Sequence, residues 1–249
     1  SSGIILSMLA NQMKEAENFM IENLGSKDNT LQKCSLIAFR WSLFHSPDQK
    51  MENYFGILKK ITPVVSKDNM SLLIQCLLIA WKDNKEEFEP ILESEIINRG
   101  QDAATTYIGL VQYRKEKSII VLQRGVEILE SKIQDSEYID IGLADIFETD
   151  PDFVLERLKK RIQDGQVVRL MNNDLLRHIR KADINPILRL VESQIDEGYI
   201  PYLGEGILED LFVPHDEPSL EKWANWCEKW VNDERKKSII LSSLGIILT

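Results

Sequence analysis

With only three cysteines and three histidines in 249 residues, the chain has little of the material from which metal sites and redox centres are built. Cys34, Cys76 and Cys227 are odd in number, far apart and set in apolar helical stretches. That argues against a disulfide framework and for reduced core thiols in a cytoplasmic protein. His45, His178 and His215 have no cysteine, histidine or carboxylate at the spacing of a metal pair, so neither a metal nor another cofactor is expected. There is no Gly-x-Ser-x-Gly elbow and no Cys-x-x-Cys pair, and Gly204-Glu-Gly206 follows no strand, which leaves no phosphate loop. Long apolar runs are also missing. The stretch Ile239 to Leu248 is interrupted by serines and a glycine and is too short to cross a bilayer, and the opening Ser1-Ser2-Gly3-Ile4 lacks a basic region, so a soluble chain without a signal peptide is expected. Net positive charge is absent too: at −10, the whole chain is poorly suited to nonspecific binding of nucleic acid or membrane.

What is present is helical periodicity. In T-D-P-D-F-V-L-E-R-L-K-K-R-I, Thr149 to Ile162, a capping residue precedes Pro151. Phe153, Val154, Leu155, Leu158 and Ile162 then form one apolar stripe. Similar starts at Ser46-Pro47, Glu89-Pro90, Asn185-Pro186 and Glu217-Pro218 place five of the eight prolines where one helix of each hairpin should begin. Residues 4 to 24 read as one helix stopped by Gly25 in a left-handed conformation. Asn29 or Thr30 opens the next helix, which runs to about Phe44 and is apolar enough to be sandwiched. The capping box Ser46 to Gln49 starts a third, ended by Pro63, and a further helix covers Asp68 to Trp81.

The pairs that follow are 101–114 with 117–133, 136–148 with 151–164, 170–182 with 186–197, and 200–212 with 218–232, with a last helix near Glu234. Glycine stops at 100, 165 and 198 separate them, and Ser118 can cap the one start that lacks a proline. The motif C-S-L-I-A at Cys34 recurs as C-L-L-I-A at Cys76, 42 residues on. Later starts and stops repeat at about 33.

On the patterns I-G-L-A-D-I-F before T-D-P-D-F-V-L-E-R-L, and L-L-R-H-I-R-K-A-D before I-N-P-I-L-R-L-V, the chain resembles the HEAT and armadillo-like α-solenoids over nearly its whole length. The resemblance implies an all-α fold: one right-handed α-solenoid, residues 1–249, of about seven stacked antiparallel hairpins. Neither end carries a polar cap. The chain is therefore read either as a piece of a longer solenoid, its ends packing on further repeats or another chain, or as closed by a C-terminal helix that folds back.

Two features stand out as candidate contacts. Residues 157–189 carry Arg157, Lys159, Lys160, Arg161, Arg169, Arg177, Arg180, Lys181 and Arg189 against Asp164, Asp174 and Asp183, a charge of +6 that leaves −16 for the rest. Arg157, Lys160, Arg161, Arg177, Arg180, Lys181 and Arg189 are the candidate partner-binding residues for an acidic ligand, against the plainer reading of a solvated helix face. Trp223, Trp226 and Trp230, at i, i+3 and i+7, read either as core or as an aromatic binding ridge. Paired carboxylates such as Glu86 and Glu87, or Asp150 and Asp152, fall at helix starts, where the dipole favours them. Asn69-Met70-Ser71 is a chance glycosylation sequon.

The expected function is a noncatalytic scaffold that binds a protein partner or another domain of a larger protein. The alternative is nucleic-acid recognition, similar in fold type to HEAT-like alkylpurine DNA glycosylases, with residues 157–189 on the phosphates.

Overall fold

The structure is a computed structural model that describes residues 2–10, 12–45, 48–132, 137–163, 185–198, 217–234 and 236–237. Among these, twelve α-helices and two 3-10 turns are present and no strand. The chain divides into two compact units, residues 1–134 and 135–249.

The first unit holds α1 Ser2–Ala10, α2 Lys14–Asn23, α3 Asn29–His45, α4 Asp48–Ile61, α5 Met70–Asp83, α6 Lys85–Arg99, α7 Gln101–Val111 and α8 Ile119–Lys132. Local chemistry sets most of these bounds. The Asp28 carboxylate accepts from the backbone N–H groups of Thr30 and Leu31, so it is the cap of α3, one residue before the expected Asn29. Ser118 caps α8 as expected, its Oγ accepting from Val121 N at 3.2 Å. Gly100 closes α6 and opens α7 in a single residue. Its N–H bonds Ile96 O while its carbonyl accepts from Ala104 N, and that corner requires φ of 68°, which a glycine adopts freely.

Three expectations are corrected. Residues 4–24 form two helices, not one: Met13 is extended at φ −128° and ψ 123°, and the break lets both α1 and α2 lie against α3. Gly25 does not take a positive φ; α2 ends instead by a tight bond from Leu24 N to Ile21 O. Pro90 starts no helix but sits exposed inside α6, because Asn84 forms the stronger start. Asn84 Oδ1 accepts from Glu87 N at 3.3 Å, and its Nδ2 donates to the Glu87 carboxylate at 2.9 Å.

Within this unit, consecutive helices α1–α2, α2–α3, α4–α5, α5–α6, α6–α7 and α7–α8 touch. So do the alternate ones: α1, α3, α5 and α7 in one series, and α6 with α8 in the other. The second series continues backward through side chains. Phe55 of α4 meets Phe88 of α6 edge-on at 5.0 Å, and Tyr54 of α4 donates to the buried Glu17 of α2 at 2.9 Å. At the head of the first series α1 crosses α3 so closely that a Cβ on Gly3 would meet Ile37 at 2.5 Å.

Buried polar side chains tie neighbouring layers together. Gln32 Oε1 accepts from Ser66 N and Asn69 Nδ2, and Arg99 donates to the Thr62 and Val65 carbonyls at 3.0 and 3.1 Å while pairing with Glu95. Leu36, Phe39, Tyr54, Leu58, Leu77, Phe88, Tyr107 and Leu129 are among the fully buried side chains of the core they surround.

The second unit holds α9 Glu137–Phe147, α10 Pro151–Gln163, α11 Asn185–Asp196 and α12 Glu217–Trp230. Pro151 is the first residue of α10 and Asp150 caps it, accepting from Phe153 N at 3.1 Å. Pro186 and Pro218 are each the second residue of their helix, and Gly198, at φ 95°, follows α11. α9 packs on α10 and α10 on α11, with Gln163 Nε2 donating to the buried Gln194 Oε1 at 3.2 Å. α11 and α12 meet at Glu192. The expected cap at Ser46-Pro47, the stop at Gly165, the helices over 170–182 and 200–212, and Gly204-Glu-Gly206 lie outside the described residues.

Among the described residues, most hydrogen bonds between distant elements join residues 31 to 40 positions apart, among them Ser7 with Ser42, Glu17 with Tyr54, Gln32 with Asn69 and Glu192 with Trp230. Bonds at one recurring separation, and contacts between neighbouring helices, are compatible with a helical repeat fold.

Candidate functional site

A hollow of the first unit forms where the C-terminal ends of α3 and α5 meet the loop from α7 to α8. α3 ends in Trp41-Ser-Leu-Phe44-His45, α5 ends in Trp81-Lys82-Asp83, and the loop contributes Arg114-Lys115-Glu116. Two adjoining hollows result. One of about 550 Å3 is lined by Leu43, Leu78, Trp81, Lys82 and Lys115; the other, of about 310 Å3, by Trp41, His45, Arg40 and Gln75. Phe44, Ile79 and Arg114 border both.

The middle of α3 is sandwiched as expected, with Leu36, Ala38 and Phe39 buried, whereas its last turn is open to solvent. Phe44 is 70% exposed and Trp41 stacks on His45 with ring centroids 5.4 Å apart. Arg40 is anchored by a hydrogen bond to Gln75 of α5, which holds the two helix ends together. Trp81 is buried beneath them with Lys85 over its ring at 5.2 Å, and its indole N–H has no acceptor among the described residues.

Charge on the rim is uneven. Glu116 pairs with Lys85 at 3.4 Å, whereas Lys82, Arg114 and Lys115 are exposed and form no ion pair among the described residues. An apolar floor, exposed rings and uncompensated cations make a surface for an anionic group attached to something apolar.

The basic segment chosen from the sequence is described only in part. Arg157 is half-buried, its guanidinium 3.7 Å from the Phe153 ring centroid, and Lys159 reaches Glu197 at 3.9 Å. Lys160 and Arg189 are exposed, and no ion pair is formed by either among the described residues. The Arg161 side chain, and Arg177, Arg180 and Lys181 entirely, lie outside the described residues.

Of the tryptophans, Trp230 is core, 1% exposed, with its indole N–H donating to Glu192 at 2.9 Å; the side chains of Trp223 and Trp226 lie outside the described residues. Partial burial of Glu192 by itself would raise its pKa. Hydrogen bonds from Lys229 and Trp230, with the charges of Lys229 and Lys236, outweigh that and hold the carboxyl below its ordinary value.

The remaining candidates resolve into structural roles. All three cysteines are free; Cys76 is buried, which pushes its thiol up to about 12, and burial also raises Cys227, while Cys34 is half-buried. Asn69 of the sequon is buried with its amide on Gln32 Oε1 at 2.8 Å, where no glycan can attach. Glu86 and Glu87 occupy the first turn of α6, as expected of carboxylates at a helix start. No group of three His, Cys, Asp or Glu side chains is placed to hold a metal ion, and no helix is long and apolar enough to cross a membrane, among the described residues. On α1, which has no charged residue, Ile5 and Met8 are exposed.

No protein-family model matches this chain, and no curated protein or solved structure matches it significantly. What fold and site define together is therefore a class: an all-α protein whose neighbouring helices pack in sequence and leave an aromatic, cation-rimmed cleft open.

Proposed function

We propose that the chain is a noncatalytic interaction module, a right-handed α-solenoid of HEAT-like repeats that holds a protein partner in the cytoplasm. The recurring 31 to 40 residue separation of inter-element hydrogen bonds supports the repeat reading, because equivalent positions of stacked repeats touch at about one period. The observation that carries the binding function is the cleft at Phe44. A large ring left 70% exposed beside two concave hollows is what a docking surface has before it is filled. The three free cysteines support a reducing compartment.

A second reading is nucleic-acid recognition through Arg157, Lys160, Arg161, Arg177, Arg180, Lys181 and Arg189. It draws support from Lys160 and Arg189, which are exposed and in no ion pair among the described residues. The two readings separate in one affinity capture from lysate, with and without nuclease, comparing the chain with an Arg177→Glu/Lys181→Glu variant. Capture of a protein that survives nuclease supports the module. Recovery of nucleic acid that is lost in the variant replaces it with the second reading.

A further inference from the structure

We infer that the occupant of the cleft at the ends of α3 and α5 is a short acidic peptide segment carrying one large apolar side chain. This rests on the interaction-module reading and names the partner's chemistry.

The argument is one of complementarity. In a chain of net charge −10, the rim collects Arg40, Lys82, Arg114 and Lys115 against Asp83 and Glu116, and Glu116 is already neutralised by Lys85. Three of those cations are exposed without an ionic partner among the described residues, so an incoming carboxylate displaces no existing pair. Between them the surface is apolar: Leu43, Leu78 and Ile79 line it and Trp41 and Phe44 border it. The 310 Å3 hollow has room for one aromatic or leucyl side chain, and the 550 Å3 hollow beside it accepts the neighbouring residues.

Two features give the surface a defined shape. The Arg40–Gln75 hydrogen bond ties α3 to α5, and Arg114 N bonds Val111 O at 2.8 Å, fixing the start of the loop that carries the other cations. A side chain can therefore dock without first ordering the wall that receives it.

The test is to pan a randomised twelve-residue peptide display library against the full chain, then titrate fluorescein-labelled selected peptides against it and three variants. The expected selection is enriched in Asp and Glu around a single Phe, Trp or Leu. Binding should weaken at least tenfold in Phe44→Ala, at least tenfold in Arg114→Glu/Lys115→Glu, and steeply as salt is raised from 50 to 500 mM, on the order of the Debye screening of exposed charges. Tyr113→Ala, on the same loop but outside the lining, should bind as the parent does and so controls for damage to the loop. Selection of neutral or basic peptides, or acidic peptides whose binding survives both variants, would overturn the inference. So would a fluorescein-labelled oligothymidylate that binds the parent and is lost in Arg114→Glu/Lys115→Glu. If the partner captured from lysate still binds these variants, the module stands and only its assignment to this cleft fails.

Discussion

The two units solve the same packing problem with different chemistry. In the first, adjacent layers are joined mainly by buried rings and amides, Phe39 on Tyr54, Phe55 on Phe88 and Gln32 on Asn69, with the Arg99–Glu95 pair and the buried Glu17 carboxylate beside them. In the second, the described joint between α11 and α12 is ionic: Glu192 gathers Trp230 and Lys229, and Lys236 reaches Asp196 at 2.6 Å. Their charges differ in the same sense. Residues 1–134 carry sixteen Lys and Arg against seventeen Asp and Glu, whereas residues 135–249 carry fourteen against twenty-three. A recurring sequence separation between bonded partners thus constrains where neighbouring helices touch but not by what means. With nine excess negative charges against one, the second unit should be the more sensitive to salt.

The largest effect is expected from Phe88→Ala. The ring is fully buried between α4 and α6, and its loss should cost about 3–5 kcal/mol, read as a lower urea midpoint for the first unit. Arg99→Met should cost about 3 kcal/mol, because it frees two carbonyls and strands the buried Glu95 carboxylate. A midpoint within error of the parent would show that the Arg99 bridge between layers is ornamental.

In the second unit, Trp230→Phe keeps a ring but removes the bond to Glu192 and should cost about 2 kcal/mol at neutral pH. The Glu192 carboxyl is held below its ordinary value. Its contribution is therefore complete above the ordinary carboxylate range and is lost as pH falls through the depressed one. Stability measured from pH 7 down to pH 3 should fall less steeply in Trp230→Phe than in the parent; parallel curves would erase the contrast between the units. The smallest effect belongs to Lys59→Ala. Its exposed pair with Glu87 should be worth no more than about 0.5 kcal/mol in a double-mutant cycle.

Much of the helical pattern could be read from the residues because local signals agreed with packing. Ser118 and Asp150 cap as their side chains allow, Pro151 begins α10, and Gly100 and Gly198 take positive φ. Where local signals competed, the reading failed. Pro90 looked like a start, but the reciprocal bonds of Glu87 and the cap Asn84, six residues before the proline, define one that a proline in the second turn does not cancel. Residues 4–24 carry an unbroken periodicity, yet the bend at Met13 is imposed by two contacts with α3 that no local pattern records.

The cleft was illegible for the same reason. Its parts lie at 40–45, 75–83 and 114–116, and Trp41 and Phe44 look like core until the ends of α3 and α5 are set beside the loop that follows α7. The charge-rich stretch 157–189 drew attention because its signal is contiguous. Four separated cations in three elements give no such run.

The claim that the cleft at the ends of α3 and α5 is a binding surface is tested most directly by titrating a selected acidic peptide against the full chain and its Arg114→Glu/Lys115→Glu variant. The account predicts binding at least tenfold weaker in the variant, and equal binding by the two would contradict it.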